Sequence, residues 1–327
     1  MALSSHLYTE QQEIVKENKS VVTEFLICGF SDIENLQPVL FLIFLQIYVL
    51  TVLGNVVIIT VIMWDVHLQK PMYCFLCNMS FLDFSYSTVT TPYMLYVLIT
   101  GHKNLSIKKC MTQLYFFNSF ASVEYLLLTT MAYDRYMAIC KPFQYTQVMD
   151  RKVCFWLSFT AWTSGFIAAL PVTILSSSLT FCASNAINHF FCDVTPLLTL
   201  SCDDTSAIEM TMFTEGIVLL FSCFLLTVMS YVYIISAILK IQSTEGRHKA
   251  FSTCASHLTV VTLFYILVVC VYMKPTSSYS LDVGKMLSVL YVNVIPMLNP
   301  FIYSLRNKDV KKTLIKLYQL HKSTQLY

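Results

Sequence analysis

Seven times between residues 39 and 305 the chain runs for about 20 residues with almost no charge, long enough for a helix to cross a hydrocarbon core of about 30 Å. The runs lie at roughly 39–63, 71–99, 108–134, 153–176, 209–239, 250–273 and 286–305. In hydrocarbon every backbone polar group must be satisfied internally, which leaves helices and closed barrels. Segments this long and apolar read as helices, so the expected fold class is an all-α membrane protein, a seven-transmembrane helix bundle. Composition agrees, with 56% of the 327 residues hydrophobic and 12% charged, about half the charge of an ordinary soluble domain.

This reading divides the chain into an extracellular tail, 1–38, the bundle, 39–305, and a cytoplasmic tail, 306–327. The first 30 residues are polar and lack the apolar stretch of a cleavable signal, so the first span is expected to act as its own insertion signal. With the N-terminus outside, the inner segments carry fourteen Lys and Arg and the outer segments seven, the bias expected of cytoplasmic loops. Lys103, Lys108 and Lys109 count against it. Sequons at Asn18 and Asn104 fall on the outer side and are candidate glycosylation sites, whereas Asn78 of a third sequon lies inside a span. After the last span Val310, Leu314 and Tyr318 recur on one face among Lys311, Lys312 and Lys316, the pattern of a short amphipathic helix lying on lipid.

Most of the twelve cysteines are scattered through the spans as small apolar residues. Cys110 opens the third span at its outer end, and Cys182, Cys192 and Cys202 recur at ten-residue steps in the long loop before the fifth. In an oxidising compartment bridges are expected, and four cysteines allow three pairings. Any bridge from Cys110 would pin that loop over the bundle.

Ionisable groups inside a membrane are costly and so informative. Asp83 and Glu124 sit deep in the second and third spans with no basic residue in the same spans, and Glu215 lies in the outer part of the fifth. Asn55 and Asn299 are candidates to join Asp83 in a polar core or ion site. Pro296 and Pro300 interrupt the seventh span, where proline removes backbone hydrogen bonds and permits a kink. At the inner end of the third span Asp134 and Arg135 stand side by side in MAYDRYMAIC (131–140).

Gly54-Asn55, PMYCFLCNMSFLD (71–83), MAYDRYMAIC, Ser230-Tyr231, KAFSTCASH (249–257) and PMLNPFIYSLRN (296–307) occur in order from end to end, with HFFCD around Cys192 between the third and the fourth. With these motifs the chain resembles the olfactory (odorant) receptors, class II, a branch of the rhodopsin-like G-protein-coupled receptors. It departs from the usual pattern at Cys74, Met79 and Met137, and its tail before the first sequon is longer than most.

The resemblance implies pairing of Cys110 with Cys192 and Cys182 with Cys202. It implies that Asp134 holds Arg135 in the resting state, and that activation frees Arg135 to meet Tyr231 and Tyr303 and opens a cleft for a G-protein helix. Tyr136, Lys249, Asn299 and Pro300 belong to the same switch and coupling set. The partners implied are a small volatile odorant, a stimulatory olfactory-type G protein that raises cyclic AMP, and membrane lipid. No nucleic acid, cofactor, metal or enzymatic activity is expected, and the expected location is the plasma membrane.

The ligand is then expected between the outer halves of spans three, five, six and seven. Leu114, Phe117, Asn118, Ala121, Ser122 and Tyr125 recur at helical spacing on one stripe of the third span. Met212 and Glu215, Tyr265, Val268, Val269 and Tyr272, and Val289 and Val292 are expected to close the pocket. Phe117 stands where the similar aminergic receptors keep an aspartate, so a neutral, mostly apolar ligand fits better than an amine. Rival functions lack their residues: no mid-span lysine for retinal, no inverted repeat for a transporter, and no HExxH for an intramembrane protease. A non-olfactory rhodopsin-like receptor for a lipid or peptide is the alternative, and KAFSTCASH argues against it.

Overall fold

A computed structural model of the protein describes residues 22–30, 34–182, 184–272, 281–306 and 308–324. Seven long helices run among the described residues: α1 (Gln37–Trp64), α2 (Pro71–Thr100), α3 (Ile107–Cys140), α4 (Arg151–Ser177), α5 (Ser206–Leu239), α6 (Thr244–Tyr272) and α7 (281–306). An eighth helix, α8 (Lys308–Thr324), follows. Over its described residues each expected span falls within one of these helices, Met273 lying outside them, and α3 reaches six residues past the expected end at Asp134.

Local chemistry sets the ends. Proline occupies the first turn of α1 and of α2, where its missing N–H costs nothing. Asp150 caps α4, its Oδ1 accepting from Val153 N at 2.7 Å. Gly101 closes α2 with φ of 71°, a left-handed conformation that glycine adopts without strain. Two helices are loosened internally: Gly216–Phe221 in α5 and Leu290–Val294 in α7 are π-helical turns, a feature that often marks functional sites.

Among the described residues, Gln37–Trp64, Arg151–Ser177, Ser206–Leu239 and Gly284–Ile302 are long and apolar enough to cross a membrane, and the bent pair Thr244–Ser252 and His257–Cys270 adds a fifth. The helices that fall short by composition, α2 and α3, each bury several polar groups: Ser80, Asp83, Ser87, Thr90 and Thr91 on α2, and Gln113, Ser119, Ser122, Glu124, Asp134 and Arg135 on α3. Interior helices face protein rather than lipid, so their polarity follows from position. α3 packs along α2, α4 and α5. Its approach to α4 requires Gly165, since a Cβ there would lie 2.5 Å from Val123 Cγ2 and 2.9 Å from its backbone N.

At the end where α3 begins, three short strands form a sheet in the order β2-β1-β3. β1 (Glu24–Ile27) comes from the N-terminal tail, β2 (Asn104–Ser106) from the loop before α3, and β3 (Ala186–Ile187) from the loop before α5. β1 pairs antiparallel with β2, Phe25 opposite Leu105, and parallel with β3, Leu26 opposite Ala186. The described end of the tail is therefore the central strand of a lid. Phe25, Ile27, Leu105, Ile187 and Cys192 are buried beneath it with Leu114 of α3.

Candidate functional site

Two disulfides fix the lid. Cys110 at the start of α3 bonds Cys192, and Cys182 bonds Cys202, the pairing the resemblance implied. Gln113 reinforces the first, its Oε1 accepting from Cys192 N at 2.9 Å while its Nε2 donates to Val89 O at 2.8 Å. Lys285 of α7 donates to Gly29 O at 3.2 Å and to Asn188 Oδ1 at 2.8 Å. The tail, the loop and α7 thus share one cation. Burial and the charge of Lys285 push the pKa of His189 down to about 3, and burial pushes that of Asp193 up to about 6.

Beneath the lid, Phe191 lies 4.4 Å from Phe117 between ring centroids, and Phe117 lies 5.1 Å from Tyr86. Farther along α3, Tyr125 meets Phe264 of α6 at 6.0 Å, and Tyr265 meets Phe224 of α5 at 5.1 Å. Leu114 and Ser122 are buried, and Asn118, Ala121 and Tyr125 are half-buried, so the stripe of α3 faces protein along its length. Met212 packs against the cluster beneath the lid, Val268 and Val292 are buried, and Val289 is half-buried. Val269 is a correction: it is 48% exposed on the outer face of α6 and leaves the candidate lining. Its neighbour Val268 has the inward position, one residue being about 100° of a helical turn. Glu215 Oε1 is buried with no hydrogen-bond partner among the described residues.

The polar core is built between α1, α2, α3 and α7. Asn299 Nδ2 donates to Asp83 Oδ2 at 2.9 Å, and Tyr291 donates to Glu124 Oε2 at 3.4 Å. Asn55 does not join Asp83. Its Nδ2 donates to Thr51 O at 2.9 Å and Pro296 O at 3.2 Å, because a proline at 300 leaves the Pro296 carbonyl without its helical N–H. Asn55 Oδ1, Asn293 Oδ1 and Asn299 Oδ1 are buried without partners among the described residues. Among the described residues no group of three or more His, Cys, Asp or Glu side chains is placed to hold a metal.

At the other end of α3, Arg135 Nε donates to Asp134 Oδ2 at 3.0 Å, its Nη2 contacts the same oxygen, and both side chains are buried. Tyr145, on the short helix Pro142–Val148, donates to Asp134 Oδ1 at 2.8 Å. Tyr231 of α5 shares a 2.6 Å hydrogen bond with His257 Nδ1 of α6. Tyr136 is half-buried there, Ala132, Tyr231, Ile234, Ile238 and Cys254 close these ends of α3, α5 and α6 together, and Pro300 is buried in α7. Tyr145 and His257 went unassigned in the sequence. His257 could have been found, since an imidazole in a span needs a partner; Tyr145 sits in a polar loop with no such signal.

Several expected residues lie outside what is described: Asn18, and the side chains of Lys249, Tyr272, Tyr303 and Tyr318. Asn104 is described, and its amide donates to Glu24 Oε2 at 2.9 Å within the sheet.

Comparison with known proteins gives consistent matches. The sequence model described as olfactory receptor matches residues 44–321. The chain is 50% identical to olfactory receptor 5AR1 of Mus musculus over 302 residues, which cover 92% of this chain and 97% of that one. It is 47% identical to olfactory receptor 5AR1 of Homo sapiens, with the same coverage. With olfactory receptor 5AP2 of Mus musculus it shares 48% identity over 304 residues, 93% of this chain and 96% of that one.

Proposed function

The chain belongs to the olfactory receptor family, and from that premise we propose that it binds small, mostly apolar volatile ligands beneath the lid and activates a stimulatory heterotrimeric G protein, raising cyclic AMP. It is a multi-pass membrane receptor and not an enzyme. In the proposed orientation the N-terminus and the three-stranded sheet are extracellular and the Asp134–Arg135 end of α3 is cytoplasmic.

The observation that carries this reading is the organisation of α3, a single helix with two ends of different chemistry. One end presents Leu114, Phe117, Asn118 and Ser122 beneath a disulfide-pinned lid, and the other holds Arg135 against Asp134 within a closed contact with α5 and α6. An aromatic and aliphatic surface with few polar groups suits a small apolar ligand. A ligand acts only through its preference for one arrangement, about 1.4 kcal/mol for each tenfold shift. Release of Arg135 from Asp134, with parting of Tyr231 from His257, is the change that would open the inner face.

Glu215 supplies a specific contact, because its unpartnered Oε1 would accept a hydrogen bond from a ligand, or its protonated form would donate one. Dose–response curves for the Glu215→Gln variant test it. A selective loss of potency for hydrogen-bonding agonists is expected, and unchanged potency for every agonist removes Glu215 from the site.

A further inference from the structure

Side-chain hydrogen bonds join helix α8 to the loop after α1 and to α2. Thr313 Oγ1 donates to Asp65 Oδ2 at 2.7 Å, and Tyr73 donates to Asp309 Oδ2 at 3.1 Å. Val310 is fully buried in the main core, with Leu314 and Leu317 packed against it. Asp65 also accepts from the backbone N of His67 at 2.9 Å. The Thr313 hydroxyl is the largest of the contacts that lower the Asp65 pKa, to about 2, so the carboxylate facing Thr313 is ionised at neutral pH.

Thr313 follows Lys311 and Lys312 directly, with Lys316 one turn on. Basic residues just before a hydroxyl attract the acidic substrate groove of a basophilic serine/threonine kinase. In its seat Thr313 is 6% exposed, so such an enzyme reaches it only when α8 lifts away.

We propose that Thr313 is a phosphorylation site whose modification holds α8 off the bundle. A kinase would transfer the γ-phosphoryl group of ATP to Thr313 Oγ1: the bond from γ-phosphorus to the β,γ-bridging oxygen breaks, the Oγ1–P bond forms, the hydroxyl proton leaves, and ADP departs. The product carries a charge of about −1.5 to −2 at neutral pH and has lost its donor proton. Set against the Asp65 carboxylate, it replaces a hydrogen bond with repulsion between like charges. Docked α8 shields the site and modified α8 cannot redock, so the modification records an excursion of the helix. This inference rests on the cytoplasmic placement of α8 proposed above, which accessibility of a C-terminal tag in intact cells tests separately.

The test uses the full chain in phosphatidylcholine nanodiscs with a purified basophilic kinase and ATP, the modified residue located by peptide mass spectrometry, and amide exchange followed over 308–324. Phosphate on Thr313, several-fold faster incorporation in Asp65→Asn and loss of exchange protection in the modified chain are expected. Tyr73→Phe, which frees the other contact, serves where Asp65→Asn does not fold. No phosphate on Thr313 in wild type or in the released variant overturns the proposal, as does full protection of α8 in the modified chain.

Discussion

Tyr145 and Arg135 hold the two oxygens of one carboxylate: Tyr145 donates to Asp134 Oδ1 at 2.8 Å, and Arg135 Nε donates to Asp134 Oδ2 at 3.0 Å. The carboxylate is buried, so each contact orients it for the other. The residue that keeps Arg135 in place is therefore itself kept in place by a loop tyrosine.

Tyr145→Phe removes that second hold while preserving the ring. A buried hydrogen bond to a charged group is worth about 1.5–3 kcal/mol. Part of that loss falls on the resting arrangement, so ligand-free cyclic AMP, normalised to receptor at the surface, should rise about three- to tenfold. Unchanged basal signal at equal expression would show that Tyr145 does not restrain Asp134.

The lid gives the receptor two opposed pH dependences. The pKa of His189 is lowered from the ordinary 6.5 to about 3, so from pH 6.5 downward the unfolded chain takes up a proton that the folded chain refuses, and stability falls as pH falls. The pKa of Asp193 is raised from 3.8 to about 6, so its contribution is most favourable below 3.8 and is lost as pH rises through about 6. Thermal midpoints of purified protein measured across this range should lose the first slope in His189→Gln and the second in Asp193→Asn. Profiles identical to wild type would contradict both assignments.

Gly165→Ala tests the packing of α3 on α4. The added methyl meets Val123 Cγ2 at 2.5 Å, Val123 N at 2.9 Å and Ser119 O at 3.0 Å. Backbone atoms cannot rotate away, so a cost of about 1–3 kcal/mol is expected. It should appear as a lower thermal midpoint and reduced surface expression, with Gly216→Ala, which meets nothing, as the neutral control.

What was legible in the sequence followed from local rules. Runs of about 20 apolar residues marked the seven long helices because a bilayer fixes helix length, and the i, i+3, i+4 spacing from Leu114 to Tyr125 placed the stripe on one helix face. The sheet was not legible: EFLI at 24–27 and NLS at 104–106 are too short to read alone, and their pairing joins segments some 80 residues apart. Nor were the π-helical turns after Glu215 and before Ile295, which depend on packing between helices. Asn55 was expected in a polar core with Asp83, but its contact with Pro296 O, a carbonyl freed by Pro300, was not legible. Asn78, expected inside a span and out of reach of glycosylation, accepts from Trp162 Nε1 of α4 at 3.0 Å.

The most direct measurement of the central claim is cyclic AMP in cells that express the surface-tagged receptor with the stimulatory olfactory G protein. A broad panel of volatiles would be applied to wild type and to Arg135→Ala side by side. A saturable response to at least one volatile, abolished in Arg135→Ala at equal surface staining, is the result the account predicts. A ligand response of undiminished size in Arg135→Ala would contradict it, since no signal should then pass without the residue that Asp134 holds.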